Sequence, residues 1–211
     1  MQEIQHEIDE TDIEKSQEEF TAVSNILTRT FNEIEDRSRG FSVAGIPVNF
    51  YDFDAMTQGL QRGDLIVLGG RPSMGKTSLA LSMAKNVAQF QNLPVCFFGL
   101  EMSKEQLSYR LLSMEVGIET SRLRTGRLQE DEWPYLKEGI ESLGQLPIFI
   151  TDKSKITVDE MMAKCQEIKE QHKSELGLVV IDYLQLMDGP KSESRDEELS
   201  KVVVQLKEMA K

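Results

Sequence analysis

A lysine and a threonine close a glycine-bounded octapeptide, Gly70-Arg71-Pro72-Ser73-Met74-Gly75-Lys76-Thr77. The spacing G-x-x-x-x-G-K-[ST] is the signature of a phosphate-binding loop. Its physics follows from the residue types. Glycine lets the backbone curl until successive N–H groups face one concavity, a nest for anionic oxygens. Lys76 supplies a point charge that reaches the β- and γ-phosphates of a nucleotide, and Thr77 supplies a hydroxyl for Mg²⁺. The helix expected to follow points its positive end at the same phosphates. Gly70, Ser73, Met74, Gly75, Lys76, Thr77 and Ser78 are therefore the candidate nucleotide-binding residues.

Two carboxylates stand where that chemistry needs them. The apolar run Val179-Val180-Ile181 ends in Asp182, about 105 residues after Thr77. An acid at the end of a buried strand holds Mg²⁺ opposite the loop hydroxyl in nucleotide-hydrolysing proteins. Cys96-Phe97-Phe98-Gly99-Leu100 is a second apolar run, and it ends in Glu101. In a parallel sheet all strand C-termini open on one crevice. Glu101 there can orient and deprotonate an attacking water. On the residues alone a second reading stands beside it, a surface glutamate next to the helix that Ser103 caps.

The elements that must position these groups alternate. Short apolar runs over 64–69, 94–99, 147–151 and 177–182 read as strands, most of them buried on both faces. Helical patterns fill 76–91, 104–116, 129–143 and 157–173, two of them opened by the capping boxes Ser103…Gln106 and Thr157…Glu160. Such alternation predicts an α/β fold with a mostly parallel sheet. Residues 39–63 read as loop, because Gly40, Gly45, Pro47, Gly59 and Gly63 interrupt them. Over 12–37 the residues Phe20, Val23, Leu27, Phe31 and Ile34 recur at steps of three and four, an amphipathic helix. That stripe fits equally a seat on its own domain or on a neighbouring subunit. A last helix covers 195–211. The organisation expected is an acidic tail and linker helix over 1–40, then a nucleotide-binding domain over 41–211.

Composition narrows the class. The 211 residues are 39% hydrophobic and 28% charged, with a net charge of −12. That balance reads as a water-soluble globular chain. No apolar run approaches the ~20 residues of a bilayer span. The acidic N-terminus has neither the apolar core of a secretory signal nor the arginines of a transit peptide. The negative charge lends no support to a generic nucleic-acid coat. Cys96 and Cys165 read as reduced packing residues, and His6 and His172 lack zinc-site spacing, with His172 decorating a helix end. Arg122, Arg124 and Arg127 read as a solvated helix–turn, and Trp133 and Tyr135 as packing on the sheet.

The octapeptide, then Leu100-Glu101-Met102-Ser103, then Ile181-Asp182-Tyr183-Leu184-Gln185-Leu186-Met187 resemble the successive motifs of DnaB-type replicative DNA helicases. The lead-in Ile46-Pro47-Val48-Asn49-Phe50-Tyr51-Asp52-Phe53-Asp54, and the final helix from Arg195-Asp196-Glu197-Glu198-Leu199-Ser200 to Leu206-Lys207, are similar to the same RecA-like motor domain. The resemblance implies a homo-hexameric ring that hydrolyses ATP with Mg²⁺ and moves 5′→3′ on single-stranded DNA at a replication fork. It implies Lys76 and Glu101 as catalytic residues and Thr77 and Asp182 as the metal site. Further implied are Lys191 and Arg195 as DNA contacts, primase and loader proteins as partners, and a cytoplasmic or plastid location without membrane attachment. The 12–37 helix resembles the family's linker helix, which packs on the next subunit. The family's collar domain, its arginine finger and its later DNA loops have no counterpart in this sequence, so a piece of a longer polypeptide is expected. The alternatives are a non-catalytic partial subunit that assembles with complete ones and a recombinase-type ATPase. The Leu-Glu-Met-Ser and Asp-Tyr-Leu-Gln-Leu-Met strings disfavour the recombinase.

Overall fold

The computed structural model describes residues 22–39, 44–189, 192 and 194–211. The chain divides into two compact units, Met1–Val43 and Ala44–Lys211. In the first, α1 (Val23–Ser38) carries i,i+4 ion pairs, Arg37 with Glu33 and the capping Arg39 with Glu35. Its stripe of Val23, Leu27, Phe31 and Ile34 is exposed. The expected start of this helix, with Phe20, lies outside the described residues, as does His6.

The second unit is built on a parallel three-stranded sheet in the order β2–β1–β3, with β1 at Val95–Gly99, β2 at Ile148–Thr151 and β3 at Leu178–Asp182. Each β1 residue is buried, because helices cover both faces. Val95 and Phe97 face a core shared with α3 (Lys76–Gln91) and α4 (Lys104–Val116). Cys96 and Phe98 face the opposite core, shared with α7 (Val158–His172) and α8 (Arg195–Ala210). This two-sided covering explains why the strands read as continuous apolar runs. Both expected capping boxes are present, at Ser103–Gln106 and Thr157–Glu160. Cys96 and Cys165 are free and buried. The neighbouring Cys165 thiol and burial push the Cys96 thiol well above the ordinary range. The His172 ring closes α7 edge-on to Phe149 at 5.0 Å.

Three expectations fail, each for a local reason. Residues 64–69 form no strand. Apolar composition does not make a strand without a ladder partner. Ile66, Val67 and Leu68 are 56%, 75% and 47% exposed, and the flank of β3 away from β1 carries no described strand. Residues 51–57, read as loop, form the helix α2 (Tyr51–Thr57). It is one of the chain's short elements, too brief for a periodic signal. It is held by Asp54 Oδ1 accepting from Val48 N at 3.0 Å and by a bridge between Ile46 and Leu60. Gly59 closes that bridge at φ +84°, pressed so near the Ile46 carbonyl that a Cβ would lie 2.8 Å from it. Finally, Trp133 and Tyr135 are 55% and 64% exposed instead of packing on the sheet. They occupy the first turn of α6 (Glu132–Gly144), which docks through its later half: Leu143 joins the core, and a Cβ at Gly139 would run into Val116 of α4.

Arg122 lies in α5 (Thr120–Thr125) and pairs with Glu132 through two bonds of 2.8 and 2.6 Å, an internal brace for the turn between α5 and α6. A less exposed pair joins Lys85 of α3 to Glu115 of α4. The Lys85 hydrogen bond, with help from Ser142, holds the Glu115 carboxyl below its ordinary value against the opposing effect of burial. A lowered carboxylate stabilises the fold above its unfolded pKa of about 4.3, and that contribution disappears as pH falls through the folded value. Glu115→Gln is expected to cost roughly 1 kcal/mol at neutral pH, since one charge-assisted bond becomes neutral. The loss should vanish in melts recorded well below pH 4.

Candidate nucleotide-binding site

The C-terminal edge of the sheet collects the chemistry. β3 ends in Asp182, which is 8% exposed and the sole buried charged residue among those described. Its Oδ2 accepts a 2.7 Å hydrogen bond from Thr77 Oγ1, across 105 residues of sequence. Thr77 stands there because α3 starts at Lys76, capped by Gly75. Gly75 has φ +86°, a conformation that costs a side-chain-bearing residue about 1–2 kcal/mol. Ser73 also takes positive φ, at +62°. The loop thus curls over the start of α3, with Gly70 through Gly75 exposed at its rim. Lys76 Nζ lies across it, donating to the Gly70 and Arg71 carbonyls at 3.0 and 3.1 Å.

Glu101 enters the same edge through register. Gly99 pairs with Asp182, and the Leu100 amide donates to the Asp182 carbonyl at 2.7 Å, so the ladder runs one residue past the strand. Glu101 is the next residue and its side chain is exposed. The turn that holds it is fixed on its far side. Gln106 N donates to Ser103 Oγ at 3.3 Å, and Lys104 N donates to Asp152 Oδ2 at 3.2 Å.

Sequence reasoning misses Asp152, although Phe149-Ile150-Thr151-Asp152 repeats the pattern of an apolar strand ending in an acid. It also misses the place of Arg110, whose Nη1 reaches Ser78 Oγ at 3.5 Å, one residue beyond Thr77. Lys191, expected at DNA, lies outside the described residues. Arg195 is engaged by its own chain, bonding Glu198 at 2.6 Å and the carbonyls of Gln185 and Met187 at 2.8 and 2.9 Å.

The donor set suits a magnesium nucleotide. Mg²⁺ prefers hard oxygen ligands and keeps several waters, so one hydroxyl and one carboxylate beside a phosphate-binding loop are enough protein ligands. A parallel sheet covered on both faces, a glycine-bounded loop opening α3 and a buried acid against its threonine define a RecA-like fold of the P-loop class. The family model described as "DnaB-like helicase C terminal domain" matches residues 45–211. The chain belongs to that family. It is 48% identical over 198 residues to the replicative DNA helicase DnaB of Nostoc sp., covering 94% of this chain and 22% of that protein. Two solved structures are each 30% identical to it. The ATPase domain of G40P has a TM-score of 0.84, over 91% of this chain and 68% of that one. A DnaB-like replicative helicase, described with its interactions with primase, has a TM-score of 0.79, over 95% of this chain and 48% of that one. The chain therefore spans about a fifth of the length of the first of these relatives.

Proposed function

We propose that this chain is the ATP-hydrolysing motor of a replicative DNA helicase, working in a homo-hexameric ring that moves 5′→3′ along single-stranded DNA. The observation that carries the reading is the 2.7 Å hydrogen bond from Thr77 to Asp182 beside the glycine-bounded loop, which supports their use as a metal-binding pair. Backbone amides of the loop from Gly70 to Ser78 and the ammonium of Lys76 hold the phosphates. Thr77 and Asp182 hold Mg²⁺, which when bound offsets the charge on the phosphate oxygens. Glu101 orients the water and accepts its proton. The exposed stripe of α1 seats on a neighbouring subunit, and Lys191 is a proposed DNA contact. The similar DnaB-like helicase described with its interactions with primase supports primase as a partner here; a loader protein is a further proposed partner. No described helix is long and apolar enough to cross a membrane. The similarity to bacterial replicative helicases supports a cytoplasmic location.

Asp182→Asn tests the metal pair. Binding of a fluorescent ATP analogue should keep its affinity in EDTA while losing at least ~10-fold of the strengthening that Mg²⁺ confers. If the unsubstituted protein binds no magnesium nucleotide at millimolar concentration, the reading fails.

A further inference from the structure

The segment after Asp182 is fastened to α8 more firmly than a surface loop needs. A 3-10 turn at Leu184–Leu186 follows the strand, and Met187 is fully buried in the α8-side core with Val202. At Gly189 a Cβ would lie 2.9 Å from Val202 Cγ2 and 3.1 Å from the Glu198 carbonyl, so backbone runs directly on the helix. Arg195, the first residue of α8, locks the arrangement. One nitrogen, Nη2, donates to both Gln185 O and Met187 O, the carbonyls either side of Leu186. The other, Nη1, is neutralised by Glu198 one turn along the helix.

The far end of α8 is fastened too. Lys207 Nζ donates to Gly63 O at 2.7 Å and faces Asp64 at 3.4 Å. Gly63 lies against the helix end, where a Cβ would stand 3.7 Å from the Ala210 carbonyl. Residues 63–64 lead into the segment that delivers the phosphate loop. At 1.5 Å per residue α8 is a rod of about 24 Å. One end is tied to the chain leaving Asp182, the other to the chain entering Gly70.

We propose that α8 is a tie-rod across the nucleotide site, with Arg195 and Lys207 as its fasteners. Arg195 is then a positioning residue for Asp182, not a nucleic-acid contact. Displacement of the chain at Gly189, which lies on the helix, would pass along α8 to the base of the phosphate loop. The metal arm of this inference rests on the nucleotide-site reading above; the fastening itself does not.

Two readouts keep them apart. In the full-length protein, Arg195→Ala should speed hydrogen exchange of the Leu186 and Met187 amides, which close the 3-10 turn, by at least ~10-fold. It should raise the Mg²⁺ concentration for half-maximal binding of a fluorescent ATP analogue by ~5-fold or more, with single-stranded DNA affinity in the absence of nucleotide within about 2-fold. Glu198→Gln, which leaves the arginine in place, should give the same changes in weaker form, and Arg195→Lys should recover part of the loss. Lys207→Met should weaken analogue binding by ~5-fold while leaving exchange at Leu186 and Met187 unchanged. Unaltered exchange and Mg²⁺ dependence in Arg195→Ala, together with weakened DNA binding, would make Arg195 a DNA contact and overturn the proposal. If the unsubstituted protein binds no magnesium nucleotide, the function fails, and exchange at Leu186 and Met187 still decides the fastening.

Discussion

Lys76→Ala should abolish ATP-dependent hydrolysis and unwinding and weaken binding of magnesium ATP by roughly 10–100-fold, the worth of one or two charge-assisted hydrogen bonds. Its position carries the expectation. Nζ is held over the loop by the Gly70 and Arg71 carbonyls, within the curl proposed to bind the phosphates. A point charge there is worth most as charge shifts between phosphate oxygens, so the rate should fall by a further ~10²-fold or more. The fold should survive. Lys76 opens α3 but Gly75 caps it, and the helix is anchored by Leu81, Ala84 and Val87, all fully buried. Circular dichroism and the melting temperature should stay close to those of the unsubstituted protein, which separates a lost ligand contact from a lost fold. Retained unwinding at normal rate would remove the motor assignment.

How far this is legible in the sequence depends on whether a signal is local. The helical patterns over 76–91 and 104–116 match the bounds of α3 and α4, because Gly75 and the Ser103–Gln106 box mark their starts in the chain itself. Thr77 and Asp182 pair through chemistry: a phosphate loop calls for a second metal-shell oxygen, and an apolar strand ending in an acid is the place to find one. Strand pairing is not legible. Residues 64–69 have the composition of a strand, but composition states which faces are apolar, not which edge supplies hydrogen bonds. Facing is lost at Trp133 and Tyr135 for the same reason, since tertiary contacts, Gly139 against Val116 and Leu143 on the core, mark which half of α6 docks. Asp152 repeats the spelling of the other two acids, and its contact with the Lys104 amide needs the register of β2 against β1 to become visible. Arg195 shows the converse. The family resemblance implies a DNA contact there, and the bonds of the guanidinium to Glu198 and to the Gln185 and Met187 carbonyls become visible only in the fold.

Glu101→Gln should leave affinity for magnesium ATP within about 3-fold and lower hydrolysis by at least ~10², the lower range for general-base catalysis. The substitution isolates proton acceptance. Glutamine has the same length, so the turn from Leu100 to Ser103 keeps its hydrogen bonds, none of which uses the Glu101 carboxylate: Leu100 N to Asp182 O, Gln106 N to Ser103 Oγ and Lys104 N to Asp152 Oδ2. What changes is the loss of a group that can take a proton. Three variants then separate three functions on one sheet edge. Lys76→Ala should weaken nucleotide binding, Asp182→Asn should weaken its Mg²⁺ dependence, and Glu101→Gln should lower turnover with both intact. Asp152→Ala should fall between, because it frees the Lys104 amide and loosens the turn without touching Glu101, the proposed base. Its rate loss should be within ~10-fold and partly recovered by Asp152→Asn, which restores an acceptor. The register of Gly99 against Asp182 makes this ordering a test of geometry. A surface glutamate with no part in the reaction would leave turnover unchanged in Glu101→Gln, and Asp152→Ala would then affect stability alone.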